Sequence, residues 1–308
     1  MRVASIDCGT NSIRLLVADV GADGTLRDVE RRMEVVRLGQ GVDRTGRLDP
    51  AAIERTRLVL VDYVASIRAH GARDIRMVAT SASRDADNAE DFRSMVRATL
   101  GVDPEIVTGA EEAALSFRGA VSGLPGVEAP VLVADIGGGS TEVVLGGMPG
   151  GLPVAALSVD VGCVRLTERH LHDDPATPDQ IGAAEADIRV AMAAVRDVVP
   201  VARARTFVGV AGSVTTVAAV ALDLPSYDPD RIHGVRLPVG RVRAVTAGLL
   251  TATRARRAAI PAMHPGRVDV IGAGALVLRV IMDAFELDEV LVSEHDILDG
   301  IALSIGDC

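Results

Sequence analysis

"VLVADIGGGSTEVVLGG" occupies residues 131–147, and its reading decides the fold. An apolar run ends in Asp135. Gly137, Gly138, Gly139, Ser140 and Thr141 follow, and after Glu142 the chain turns apolar again. Two short apolar runs joined by glycines read as buried strands around a tight turn. A close relative of the pattern lies earlier, in "RVASIDCGTNSIRLLVADV" at residues 2–20. Asp7 corresponds to Asp135, Gly9 to Gly137 and Ser12 to Ser140. A second pair follows in the same order: "IRMVATSASRDADN" at 75–88 and "TFVGVAGSVTTVAAV" at 206–220 each read as strand, small-residue turn and helix start. Two short similarities in the same order at nearly equal offsets argue for a duplicated domain.

Between these landmarks each half opens with a hairpin, adds a short strand, and then alternates helices with strands. Residues 50–71 form a helix with Pro at its start and Gly after its end. Residues 89–101 and 177–199 read the same way. "GLPGVEAP" at 123–130 is the clearest break and the expected hinge. The domains expected are 1–124 and 125–295, the two facing each other. A last helix at about 296–308 need not stay with the second domain, and Ser293 three residues before Asp296 suggests a capping box.

Composition fits an α/β class. The 308 residues are 48% hydrophobic but only 2% aromatic, with no Trp, so Val, Ala, Leu and Ile must build the core. No apolar run approaches the roughly 18 residues that span a bilayer, and the N-terminus lacks a signal-peptide pattern. The cysteines, Cys8, Cys163 and Cys308, are scattered without metal-ligand spacing, which favours free thiols and a cytoplasmic location. A net charge of −10 argues against general nucleic-acid or membrane-surface binding. Every basic residue is Arg. Residues 231–267 carry eight of them without one Asp or Glu, which suggests a local track for an anion, set against pairing with acids from elsewhere. The histidines, including His170, His172 and His295, read as structural or surface residues.

Glycine turns after buried strands expose backbone N–H groups that suit phosphate oxygens, with Thr10, Asn11, Ser12, Ser140 and Thr141 adding side-chain donors. An Asp before each turn would repel phosphate unless a cation intervened. Mg²⁺ needs only one or two carboxylates plus phosphate oxygens, so Asp7 and Asp135 suggest a metal–phosphate clamp, with Glu142 holding a metal-bound water. Arg84, just past a strand end, offers a fork for terminal phosphate. Glu111 and Glu112 point different ways on a helix, and one of them facing the site could accept a proton from an attacking water. Spacing does not choose between them.

In combination, "DCGTNSIRLLV", "TSASRDA", "TGAEEAALSFRGAV", "DIGGGSTEVV", "SVDVGCVRLTE", "GVAGSVTT" and "SEHDILDG" resemble the exopolyphosphatase and guanosine pentaphosphate phosphohydrolase (Ppx/GppA) family. That family belongs to the acetate kinase, sugar kinase, Hsp70 and actin superfamily, and the resemblance covers essentially the whole chain. It implies two duplicated actin-like (ribonuclease H-like) α/β domains facing a central cleft. It places the catalytic glutamate on Glu112 and the phosphate-clamping arginine on Arg84. It assigns phosphate contacts to Gly9, Thr10, Asn11, Ser12, Gly137, Gly138, Gly139, Ser140, Thr141, Gly212 and Ser213. Asp7, Asp135 and Glu142 fall to Mg²⁺, or Mn²⁺ in its stead. The HD-like helical domain of longer members is not expected here. The function implied is Mg²⁺-dependent removal of terminal phosphate from inorganic polyphosphate, by a cytoplasmic enzyme for which a homodimer is open and nucleic acid and membrane are not partners. Rival readings are hydrolysis of guanosine pentaphosphate (pppGpp, giving ppGpp), a small-molecule kinase, and a non-catalytic sensor of polyphosphate or an alarmone.

Overall fold

The computed structural model describes residues 1–147 and 153–306. They fall into two compact units, Met1–Gly119 with Asp296–Cys308, and Ala120–His295. The last two residues of the helix expected at 296–308, Asp307 and Cys308, lie outside the described residues.

The first unit holds a five-stranded sheet made of β1 (Arg2–Cys8), β2 (Ser12–Val20), β3 (Leu26–Val35), β4 (Asp74–Ala79) and β5 (Glu105–Ile106), in the order β3-β2-β1-β4-β5. The strand β2 runs antiparallel to both β1 and β3, whereas β4 runs parallel to β1 and β5 parallel to β4. The second unit contains β6 (Val131–Ile136), β7 (Thr141–Gly146), β8 (Pro153–Val159), β9 (Thr206–Val210), β10 (Arg236–Pro238) and β11 (Glu289–Val292), in the order β10-β11-β9-β6-β7-β8. Read from the other edge, β8-β7-β6-β9-β11 repeats the order and strand directions of the first sheet, and β10 adds an antiparallel edge. Register repeats too. Asp7 stands beside Val78 of the parallel neighbour, and Asp135 beside Val210. The duplication is therefore one of hydrogen-bond pattern as well as of sequence.

Continuous apolar strands need cover on both faces, and β6 and β7 are buried along their whole length. In the second unit the apolar helix Ile271–Ala284 packs against Val239–Thr251, Pro178–Val198, Cys163–His170 and Ala211–Ala221. In the first, Pro50–His70 packs on Ala89–Leu100 and on β2, with Tyr63, Phe92 and Leu60 inside. The opposite face of that sheet is covered by Ile297–Ile305, whose Leu298, Ile301 and Ala302 meet β1, β2 and β4. Among the described residues no helix is long and apolar enough to cross a membrane.

Helix ends follow the punctuation of the sequence. Asp49 caps Pro50–His70 by accepting from the Ala51 amide, and Gly71 closes it in the left-handed conformation. Thr177 and Gln180 form a full capping box before Pro178–Val198. The last helix departs from expectation. Its box is Asp296 with Asp299, while the Ser293 hydroxyl accepts from the His295 amide and closes only a local turn. The 123–130 break lies within the second unit, a few residues past Gly119 where the first unit leaves off.

Two helices of the first unit cross where glycines remove the side chains. A Cβ on Gly119 would collide with the Asp296 carbonyl, and one on Gly300 with the Leu115 carbonyl. Alanine in a helix interior is ordinarily better than glycine by about 0.5–1 kcal/mol. At Gly300 the sign reverses: Gly300→Ala is expected to lower stability by roughly 1–3 kcal/mol through overpacking. Gly182, in the helix Pro178–Val198, would meet no atom, so Gly182→Ala should raise stability instead. Urea midpoints of the two variants check both signs, and equal shifts would contradict the packing argument.

Candidate functional site

In the first unit the turn after β1 is closed by Gly9 N–H donating to the Ser12 carbonyl at 3.0 Å. The Thr10 carbonyl accepts from the Gly39 amide, and the Asn11 carbonyl from those of Val36 and Arg37. A trans peptide points its N–H opposite to its C=O, so the Asn11 and Ser12 amides are turned away from residues 36–39. The Thr10 hydroxyl is buried and bonds the Ser81 hydroxyl at 2.9 Å, an attachment to the turn after β4.

The second unit repeats the closure, Gly137 N–H donating to Ser140 at 3.0 Å. Its carbonyls are held by the start of helix Cys163–His170: Gly137 O accepts from Cys163, and Gly138 O from Val164 and Arg165. The Arg165 guanidinium reaches Gly139 O at 2.7 Å. By the same geometry the amides of Gly138, Gly139 and Ser140 face the other way, a row of three donors suited to anionic oxygen. The Thr141 hydroxyl is buried and donates to the Val161 carbonyl, so this side chain braces the loop from behind.

The carboxylates differ between the copies. Asp135 stands opposite Glu142 in the β6–β7 ladder, which puts both buried side chains on one face of the sheet. Glu142 Oε1 accepts from the Ser158 hydroxyl at 2.6 Å. In the first unit Asp7 stands opposite Arg14, not an acid. Arg14 Nε and Nη2 donate to Asp7 Oδ2 at 3.0 and 2.7 Å, and Nη1 donates to Asp296. Asp299, one turn further, binds Arg31. Burial pushes the Asp7 carboxyl above its usual range against the pull of Arg14. For Asp296 burial acts in the same sense, but Arg14 and Arg31 outweigh it and hold the group low. Asp7 Oδ1 is buried with no hydrogen-bond partner. Burial also raises the thiol pKa of Cys8 and Cys163.

Among the described residues no group of three or more His, Cys, Asp or Glu could encircle a metal ion. The two same-face carboxylates of Asp135 and Glu142 nevertheless fit a hard cation that completes its shell with water and phosphate oxygens. The residues present thus suit Mg²⁺ in partial coordination.

The structure separates Glu111 from Glu112. Glu111 is exposed, and its Oε2 accepts from the amide and hydroxyl of Thr108, a capping role at the start of helix Gly109–Val121. Glu112 is buried and accepts from Arg84 Nη1 at 3.0 Å, while the same nitrogen donates to the Val107 carbonyl. Arg84 sits in the turn after β4, which brings the expected base and the expected phosphate clamp into one contact within the first unit.

Gly212 and Ser213 begin helix Ala211–Ala221, after Ala211 at φ 66°. Gly212 makes room for the Arg267 guanidinium, which donates to its carbonyl at 3.1 Å, and Ser213 is buried against Gly274 and the Cys163 thiol. Arg267 and most of the arginines of 231–267 find partners inside the second unit, which favours pairing, the alternative set against the anion track. Arg236 pairs with Glu289, Arg243 with Asp283, Arg254 with Asp269 and Arg257 with Asp174, and Arg241 caps the Ala221 carbonyl. His170 binds Asp187, and His295 lies beside His233.

Sequence reasoning missed Arg14, Asp296, Gly162 and Arg165. Arg14 was legible: it follows Asp7 by seven residues, as Glu142 follows Asp135. The others depend on contacts between distant segments.

The Ppx/GppA phosphatase family model matches residues 16–307. Exopolyphosphatase 2 of Mycobacterium tuberculosis is 51% identical, over 99% of this chain and 98% of its own. A crystal structure of an exopolyphosphatase-like protein superposes with a TM-score of 0.94 at 42% identity, covering 100% of this chain and 99% of that one. The Ppx/GppA family member of Aquifex aeolicus gives 0.82 at 32% identity, with 99% and 97% covered.

Gly162 is the close-approach point behind the second loop, since a Cβ there would strike the Gly138 carbonyl. Gly162→Ala is expected to speed amide hydrogen exchange at residues 138–140 at least about tenfold, an opening of roughly 1.4 kcal/mol. The turn at 9–12 should keep its exchange rates. Unchanged exchange at 138–140 would show that the helix start does not hold this loop.

Proposed function

The chain belongs to the Ppx/GppA phosphatase family, and on that footing we propose that it is an exopolyphosphatase, a phosphoanhydride hydrolase with duplicated actin-like α/β units. The observation that carries the mechanism is the buried Glu112 within 3.0 Å of Arg84, with Glu111 committed to a cap.

A terminal phosphoryl group passes through a transition state whose charge lies on its oxygens, so positioning and charge stabilisation do most of the catalysis. In our reading the Gly138, Gly139 and Ser140 amides and those of Asn11 and Ser12 grip phosphate oxygens. On substrate binding Arg84 turns its fork from Glu112 to the terminal phosphate, and the released carboxylate of Glu112 orients a water and takes its proton. Asp135 and Glu142 would hold Mg²⁺, which would supply neutralisation of charge on the phosphate chain. Gly212 and Ser213 serve this reading less directly, because Arg267 and Cys163 already occupy them. The alternative substrate is guanosine pentaphosphate, since the related guanosine-5'-triphosphate,3'-diphosphate pyrophosphatase of Vibrio atlanticus shares 27% identity over 99% of this chain.

Phosphate release from long-chain polyphosphate and from guanosine pentaphosphate, measured on one preparation, decides between the substrates. Glu112→Gln is expected to lower kcat by about 10²–10⁴-fold. Glu111→Gln should stay within roughly threefold, as its cap contributes to stability and not to chemistry. Chelation of divalent ions should abolish turnover. Wild-type rates in Glu112→Gln would sink the assignment of the base.

A further inference from the structure

Laid one on the other, the two hairpins differ at one position that changes their charge. Where β6 and β7 set Asp135 opposite Glu142, β1 and β2 set Asp7 opposite Arg14. The arginine is not a loose surface partner. Its side chain is 19% exposed, and its acids are buried more deeply, at 6% for Asp7 and 5% for Asp296. Two of its nitrogens converge on Asp7 Oδ2 and the third is taken by Asp296. Asp296 is fixed in turn, because its other oxygen accepts the Leu298 amide as cap of the last helix. The guanidinium therefore cannot swing away without stripping two buried carboxylates of their shared ion-pair partner.

We propose that Arg14 is a positioning residue that withholds Asp7 from direct contact with a divalent cation, so that only one of the two duplicated hairpins, the one with Asp135 and Glu142, is a cation site. The proposal rests on the metal reading given above and changes its membership. A doubly charged ion at Asp7 would face a fixed positive charge one carboxylate away, with one of the two oxygens already committed. What remains to Asp7 is Oδ1, buried and without a partner. That atom is suited to accept a hydrogen bond from a water molecule rather than to complete the shell of a cation. The duplication has thus been broken by one residue: an Arg in one copy occupies the place of the Glu in the other.

Mn²⁺ binding to the substrate-free protein, followed by loss of the free-ion electron paramagnetic resonance signal, tests this apart from catalysis. Wild type is expected to bind one Mn²⁺, and Asp135→Asn to lose it. Asp7→Asn, isosteric and relieved of a buried charge, should bind one with an affinity within about threefold of wild type. Arg14→Gln should bind a second Mn²⁺ between Asp7 and Asp296, and Arg14→Lys, which keeps the charge, should return to one. A loss of more than about tenfold in affinity in Asp7→Asn, roughly 1.4 kcal/mol, would overturn the proposal, because Asp7 would then belong to the cation site. So would a folded Arg14→Gln that still binds one, or a wild type that binds none. Should Arg14→Gln not fold, Asp7→Asn decides alone. The expected Mn²⁺ pattern in a protein that releases no phosphate from polyphosphate would support the charge argument and remove the substrate reading instead.

Discussion

A trans peptide cannot turn its N–H and C=O to the same side, and both glycine turns of this protein depend on that constraint. Each turn is closed by the same bond, Gly9 to Ser12 and Gly137 to Ser140, and each has its carbonyls held from behind. The holders differ: residues 36–39 in the first unit, the start of helix Cys163–His170 with Arg165 in the second. The result is common to both. Amides are committed to face outward without any side chain having to carry the donor, and in the second turn Gly138 and Gly139 leave them open to close approach. The flanking strands, apolar and buried, fix where this row of donors stands at the sheet's end.

That division explains what could be read in the sequence. The hairpins, the helices at Pro50–His70, Ala89–Leu100 and Pro178–Val198, and the duplication depend on local pattern and spacing, and these were legible. The choice between Glu111 and Glu112 was not. Both stand in the first turn of one helix, and what separates them is Thr108 on one side and Arg84, from a different strand's end, on the other. The arginine segment stayed open between an anion track and pairing for the same reason. Its acids, Asp174, Asp269, Asp283 and Glu289, lie outside the run or across the fold, so a local charge count could not see the pairing. Likewise the cap of the last helix is set by Asp296 and Asp299, where the more usual cap residue Ser293 drew the eye.

The absence of lysine gives these pairings their form. A lysine is a point charge that can hold one carboxylate well; an arginine presents a planar fork whose nitrogens address separate partners. Arg14 holds Asp7 and Asp296, Arg31 holds Asp28 and Asp299, and Arg279 holds Glu185 and Asp283. In a chain of net charge −10, sharing one cation between two acids keeps several carboxylates inside the fold with fewer positive residues than a one-to-one pairing would require. Buried pairs of this kind are weak sources of stability but strong determinants of geometry, since moving either partner leaves a desolvated charge.

The Asp7–Arg14–Asp296 group shows what that rigidity achieves. It joins the end of β1, the second strand of the hairpin and the cap of the last helix, three segments that meet only because the chain's end returns to the first sheet. The turn at 9–12 is therefore anchored at its base by residues nearly 300 positions apart in sequence. In the second unit the corresponding turn is anchored by a helix that follows it closely, and the ladder position is left to Glu142. Two copies of one hairpin can thus hold their amides equally well while differing in charge, because the anchoring lies in the backbone and the charge in a single side chain. A cation site in only one copy requires no further change to the fold.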